Sequence, residues 1–175
     1  MSEKQIKAAI KEGGKKGQDL AGINDMGGIS FFTLSMETPD GNMELLEKVM
    51  EGANKEVDEA AEERKGGSGH IAKAFLSSGE QQLAILIDLP PEQKEKIDKA
   101  EWMDRMLKAV GAGEVIGSDD RQIKALVKKE GEVFPIKARD VAIAASFAFL
   151  REKELVPPPQ DDDDWDPSAD SGLEW

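Results

Sequence analysis

The chain has 175 residues, 39% of them hydrophobic, with 36 acids against 23 lysines and arginines, one histidine, no cysteine and a formal charge of −13. That length suits one globular domain with extensions, and no apolar run approaches the roughly 20 residues needed to cross a bilayer. The absence of cysteine removes disulfides and thiolate metal sites together, and the start, MSEKQIKAAIKEGGKKG, has no apolar signal-peptide core, so a cytoplasmic protein without cofactor or membrane partner is expected.

Ser2 and Gln5 have capping-box spacing, and Ile6, Ala9 and Ile10 form a short apolar stripe. Together they predict a helix of about three turns over 2–12, with Lys4, Lys7 and Lys11 on its other face. Gly13, Gly14 and Gly17 around Lys15 and Lys16 predict a flexible basic linker. Residues 1–27 thus read as a basic helical arm and glycine-rich linker, either a solvated arm that frays or one that meets phosphates by counterion release.

The first strand is expected over 29–36, closed by Pro39-Asp40-Gly41. Asn42 is placed to cap a helix whose inward stripe is Leu45, Leu46, Val49, Met50 and Ala53. From Asn54 to Lys65 the chain is nearly all polar and reads as a solvated continuation of that helix. Gly66, Gly67, Ser68 and Gly69 then precede a strand over 71–77. Nucleotide loops set their glycines after a strand and ahead of a helix, with a lysine and a hydroxyl at fixed positions, so this cluster reads as a flexible loop. A Ser78-Gly79-Glu80 turn joins that strand as a hairpin to the apolar run Leu83 to Leu89, which Pro90 and Pro91 stop.

From Ala100 the apolar period becomes helical: Trp102, Met103, Met106, Leu107 and Val110 share one stripe, and Gly111 and Gly113 supply the stop. Asp119 and Gln122 again have capping spacing, which predicts a further helix with Ile123, Leu126 and Val127 inward and Arg121, Lys124 and Lys128 on a solvated outer face. The segment 133–136 reads as a short edge strand, because Pro135 has no N–H for a ladder. The last helix, 138–154, is apolar almost all round, with Val141, Ala144, Ala145 and Ala148 on one face and Ile143, Phe147 and Leu150 on another. It is expected in the core; the alternative is that its alanines form the seam of a homodimer. The fold class expected is α/β, a three- to four-stranded sheet packed with helices in a single domain over residues 28–155. The element order is strand-helix-strand-strand-helix-helix-strand-helix, and a ferredoxin-like βαββαβ arrangement is the alternative.

Residues 156–175 form an acidic tail without periodicity, expected to be disordered. From Leu155 onward there are seven acids and no base, which leaves −6 for residues 1–154. Trp165 and Trp175 stand among these acids, Trp165 directly after Asp161, Asp162, Asp163 and Asp164. An isolated aromatic amid carboxylates suits capture by a basic groove with an apolar pocket, which makes the tail a candidate partner-binding segment. The other readings are an inert solubilising tail, or one that is autoinhibitory and screens basic surfaces from RNA.

The succession of apolar strand Leu83 to Pro90, Lys99-Ala100-Glu101-Trp102, helix, Val110-Gly111-Ala112-Gly113 and an alanine-rich closing helix, Ala138 to Leu150, resembles the C-terminal domain of alanyl-tRNA synthetases. The resemblance covers roughly the second half of the globular part, with looser agreement from Gly28. The chain departs from the family after Gly113, where a glycine-dense loop is reduced to Gly113 and Gly117. What the resemblance implies is a non-catalytic accessory module that recognises tRNA by shape and backbone at the outer corner where its loops meet, with self-association. Residues placed to meet phosphates are Arg121, Lys124 and Lys128, then Lys129, Lys137 and Arg139 nearby, and Lys15 and Lys16 of the arm. The zinc-dependent editing chemistry associated with alanyl-tRNA needs ligands that one histidine and no cysteine do not supply. His70, beside Ser68, has no identifiable orienting partner for nucleophilic catalysis and reads as a loop or strand-edge histidine. The alternative function is an acidic adaptor that binds a protein through its tryptophan-bearing tail.

Overall fold

The computed structural model describes residues 3–55 and 67–156, so the acidic tail from Pro157 and the polar run 56–66 lie outside the described residues. Its elements are helix α1 (Glu3–Gly27), strand β1 (Phe31–Ser35), helix α2 (Met43–Asn54), strands β2 (Ala72–Ser78) and β3 (Gln82–Asp88), helix α3 (Lys99–Val110), strands β4 (Glu114–Ser118) and β5 (Gln122–Lys128), and helix α4 (Pro135–Glu152). The α/β class expected from the sequence is the class observed. The sheet has five strands, not the three to four expected, because the segment after Gly113 adds two strands rather than a helix; their order is β1-β2-β3-β5-β4, with β1 parallel to β2 and every other neighbour antiparallel. Parallel pairing requires a crossover, which α2 supplies. Helices cover both faces of this sheet, and the order differs from a ferredoxin-like one.

Both faces of the central strands are buried, which explains the unbroken apolar run through β3. Leu83, Ile85 and Ile87 face α3 and α4, packing with Trp102, Met103, Met106, Ala138, Ala142, Phe149 and Leu150. Ala84 and Leu86 face α1 and α2, in a core with Phe32, Phe75, Leu45, Leu46, Val49 and Met50. Asn42 caps α2 as its position predicts, its Oδ1 accepting the Leu45 N–H at 3.2 Å. Asp98 caps α3 by accepting the Ala100 N–H, and Gly111 closes that helix at φ 81. Trp102 donates its Nε1–H to Ser146 Oγ at 2.7 Å, and Ser146 is also 2.6 Å from Thr33 Oγ1. That buried relay fixes α3 and α4 on β1 by satisfying an indole and two hydroxyls that would otherwise be costly to bury.

Four expectations are corrected. The helix predicted after Asp119 is instead the β4–β5 hairpin: Asp119 Oδ1 accepts the N–H groups of Arg121 and Gln122 at 2.8 and 2.7 Å, closing a turn. The alternation Ile123, Ala125, Val127 buries one face of β5, a period of two where a helical period is expected from the cap. Pro135 does not sit in an edge strand but begins α4, where its missing N–H would have had no helical partner anyway. And α4 is not buried all round: Ala138, Ala142, Ser146, Phe149 and Leu150 face the sheet, while Val141, Ala144 and Ala148 are exposed.

The fourth correction concerns the amino-terminal segment. Where the sequence predicts a flexible linker at Gly13, Gly14 and Gly17, one helix of 25 residues runs through. Its glycines are contacts: a Cβ on Gly13 would overlap Val49 O, one on Gly17 would overlap Ala53 O, and one on Gly52 of α2 would overlap Ile10 O. Bare backbone lets the two helices cross closely enough to bury Ala9 and Leu20 against α2. Lower intrinsic helix propensity, about 1 kcal/mol per glycine relative to alanine, is outweighed by this packing. No helix of the described residues is long and apolar enough to cross a membrane.

Candidate nucleic-acid interface and a buried charge network

The basic residues singled out in the sequence fall into two groups, paired and open. Arg121 lies in the turn entering β5 and points at Asp88, with Nε 2.6 Å from Oδ1 and Nη2 2.9 Å from Oδ2. Its Nη2 also donates to Gly69 O at 2.6 Å. The hydrogen bonds and charge of Asp88 raise the Arg121 pKa above its usual range. Lys124, on β5, forms an ion pair with Glu47 of α2. Lys128 ends β5 and Lys129 follows it, about 23–26 Å along the strand from Arg121 at roughly 3.3 Å per residue. Lys137 stands over the Phe134 ring in the first turn of α4, and Arg139 is bonded to its neighbour Asp140. The face drawn from Arg121, Lys124 and Lys128 therefore does not exist as a helical stripe, and its two leading members are already neutralised.

The open group is on α1. Lys4, Lys7, Lys11 and Lys15 are exposed, and their spacing puts them on one side of the helix, opposite Ala9 and Gly13. At about 1.5 Å per residue the stripe is roughly 16 Å long. None of the four has a partner among the described residues. Lys16 is half-buried beside it. Lys7 and Lys11 also rim a groove of about 320 Å³ between α1 and α2, floored by Ile10, Gly14 and Gly52 and closed on its other side by Lys55.

Arg121 completes a network that the sequence pattern alone does not announce. Lys73 and Asp88 are cross-strand partners in the β2–β3 ladder, both side chains fully buried, with Nζ 3.6 Å from Oδ2. The Lys73 ammonium donates to Asn54 Oδ1 and Ser68 O, each at 2.5 Å, and to Ile71 O at 3.0 Å. Asp88 accepts from Asn54 Nδ2 at 3.1 Å and Gln122 Nε2 at 3.2 Å besides Arg121. Burial pushes the Lys73 pKa down to about 8, against the opposing pull of Asp88. With three donors met by three acceptors, Lys73 is a structural cation that ties the end of α2 to the start of β2.

The same network fixes the loop before β2. Gly67 N–H donates to Lys55 O at 2.7 Å, Ser68 Oγ to Ala53 O at 2.6 Å, and Gln93 Nε2 to His70 O at 3.1 Å. His70 Nε2 lies 3.2 Å from Asn24 Oδ1, a side-chain partner 46 residues away that its sequence neighbourhood does not indicate. The described part of the glycine cluster, Gly67 to Gly69, is thus pinned rather than flexible. Two signals in the sequence point to the network: a lysine at the centre of the apolar strand IAKAFL, and an aspartate ending AILID. Among the described residues, no three acids or histidines are grouped to hold a metal ion.

Comparison with known proteins adds no family: no family model matches the chain, and no curated protein matches it.

Proposed function

We propose that this chain is a non-catalytic RNA-binding accessory module of the tRNA-contacting kind represented by the alanyl-tRNA synthetase C-terminal domain, and that it meets RNA with the outer side of α1. The observation that carries this reading is the stripe Lys4, Lys7, Lys11 and Lys15, exposed and without a partner among the described residues. An ordered row of ammonium groups can follow a phosphate backbone without reading bases, which is how structured RNA is held by shape. The net charge of −13 does not forbid such contact. At physiological salt, charges more than about 8 Å away are largely screened, so a phosphate at the stripe senses its lysines together with the neighbouring Glu12 and Asp19 rather than the net charge of the chain.

Fluorescence anisotropy of labelled total tRNA with the full chain, at two salt concentrations, tests the reading. The K4E/K7E/K11E/K15E chain should bind at least tenfold more weakly, and its salt dependence should be shallower by about three counterions. Equal affinity of the two chains, or no binding by the wild type at low salt, overturns the proposal. The composition of the tail favours a second reading, an acidic adaptor whose Trp165 and Trp175 engage a protein partner. Failure of RNA binding would make it the leading one.

A further inference from the structure

The groove between α1 and α2 has the two properties that an acidic, tryptophan-bearing peptide requires of its receptor. Its rim is cationic, from Lys7, Lys11 and Lys55, and its floor is apolar, from Ile10 and the bare backbone of Gly14 and Gly52. The tail of the same chain supplies the complement. Trp165 is preceded by Asp161 to Asp164 and followed by Asp166, so an indole entering the groove carries carboxylates toward the rim on both sides. We propose that the segment 157–175 docks in this groove, with Trp165 on the Ile10 floor, and thereby covers Lys7 and Lys11.

Reach and concentration favour the chain's own tail as occupant. The described fold ends at Val156, and the nine residues from there to Trp165 span up to roughly 30 Å when extended. The end of α4 and the groove lie at the same end of the sheet, since Lys153 pairs with Glu101 at the start of α3 and Asn54 at the end of α2 bonds Asp88 at the end of β3. Layers packed about 10 Å apart put the two helical layers roughly 20 Å from each other, so Trp165 can pass over that end to the α1 face. A tethered segment acts at an effective concentration in the millimolar range, which lets weak contacts compete. An aromatic anchor in an apolar seat with carboxylates on a basic rim combines hydrophobic burial with locally unscreened attraction. The functional consequence rests on the RNA reading above: two of the four stripe lysines would be withdrawn from RNA until the tail is displaced.

Amine footprinting of the full-length chain tests the docking without RNA. Lysines are acetylated under limiting reagent and quantified by mass spectrometry in the wild type, in D161S/D162S/D163S/D164S and in W165S, which keeps every charge. Both variants alter only residues beyond α4 and every strand of the sheet, so folding is not at stake. Lys7, Lys11 and Lys55 should be modified at least threefold faster in both variants, while Lys94 and Lys129 serve as unchanged references. Equal rates at the three groove lysines overturn the docking, and so does acceleration spread evenly over all lysines, which would report only a general field. Protection that grows with protein concentration overturns docking within one chain and assigns the groove to the tail of a second copy. A tRNA titration of the same variants separates the two ideas: affinity about tenfold higher without the acidic run joins them. Faster labelling with no RNA binding leaves the docking standing and removes the RNA reading.

Discussion

Lys73 and Lys11 are the same side chain in opposite circumstances, and the contrast separates what holds this fold from what the fold presents. Lys73 is buried, with three acceptors around one ammonium and Asp88 3.6 Å away. Lys11 is exposed on α1 and has no partner among the described residues. A buried cation with a full set of acceptors has no capacity left for a ligand, and its removal is felt by the core. An open cation contributes almost nothing to folding and is available to an anion. The sequence pattern puts the functional weight on Arg121 and Lys124, and the structure moves both toward the first class, through Asp88 and Glu47.

The contrast breaks most sharply at Asp88. Truncation to alanine leaves Lys73 and Arg121 as neighbouring cations with no carboxylate between them, one of them wholly buried. Asp88→Ala should cost about 3–5 kcal/mol of unfolding free energy, as removal of one partner from a buried ion pair does. A urea titration measures it through the midpoint. A loss below about 1 kcal/mol would mean that the two cations are not held by this carboxylate.

The next test uses pH. Lys73 has a folded pKa of about 8 against 10.5 for the unfolded chain. Between these values the unfolded chain keeps the proton that the folded chain has released, so raising the pH favours folding. Stability should therefore be flat with respect to this group below pH 8 and rise above it. The rise approaches about 3 kcal/mol across the full interval, because each tenfold difference in proton affinity is worth about 1.36 kcal/mol. Unfolding free energies at pH 7.5 and 9.5 should show about 2 kcal/mol of this gain in the wild type and lack it in Lys73→Met. A fall in wild-type stability over that window would contradict a buried, desolvated ammonium.

A smaller effect tests how the open lysines come to be displayed at all. Gly52 lies in the last turn of α2, and glycine to alanine within a helix would ordinarily stabilise it by up to about 1 kcal/mol. Here the added methyl group would overlap Ile10 O, so α1 must lift from α2. Gly52→Ala should be destabilising by about 1–3 kcal/mol, the cost of overpacking, and the opposite sign to propensity makes the result decisive.

Much of the fold is legible in the sequence because local chemistry and tertiary context agree. The Asn42 cap, the stripes of α2 and α3, the β2–β3 hairpin and the Gly111 stop each follow from residues within one element or one turn. Legibility fails where two local rules give the same signal. Asp119 with Gln122 satisfies the spacing of a helix cap, and the same aspartate closes a turn; only the alternation Ile123-Lys124-Ala125 decides between them, over too few residues to dominate. At Gly13 and Gly17 the failure is of another kind. Glycine signals flexibility in isolation and close approach in company, and the company, Val49, Ala53 and Gly52, lies more than thirty residues away. The lysine stripe is hidden with it: Lys4, Lys7 and Lys11 share a face in the sequence, but the same glycines assign Lys15 to a linker and so separate it from them.

The mildest perturbation is the one that sharpens the contrast from the open side. Reversing Lys11 and Lys15 to glutamate changes two exposed groups that have no partner among the described residues, and surface substitutions of that kind usually stay within about 0.5 kcal/mol. Lys11→Glu/Lys15→Glu should accordingly unfold at the wild-type urea midpoint. Reversing Arg121 with Lys124 and Lys128, the face expected from the sequence, behaves differently, because Arg121→Glu sets a second carboxylate against buried Asp88 and Lys124→Glu opposes Glu47. That triple chain should lose several-fold more stability than the double one, by about 2 kcal/mol or more when a buried charge is left unpaired. Measured side by side, equal midpoints for the two chains would place Arg121 among the open cations after all. A large loss in the α1 chain would show instead that Lys11 and Lys15 support the fold itself, beyond the weak tail contact proposed for Lys11.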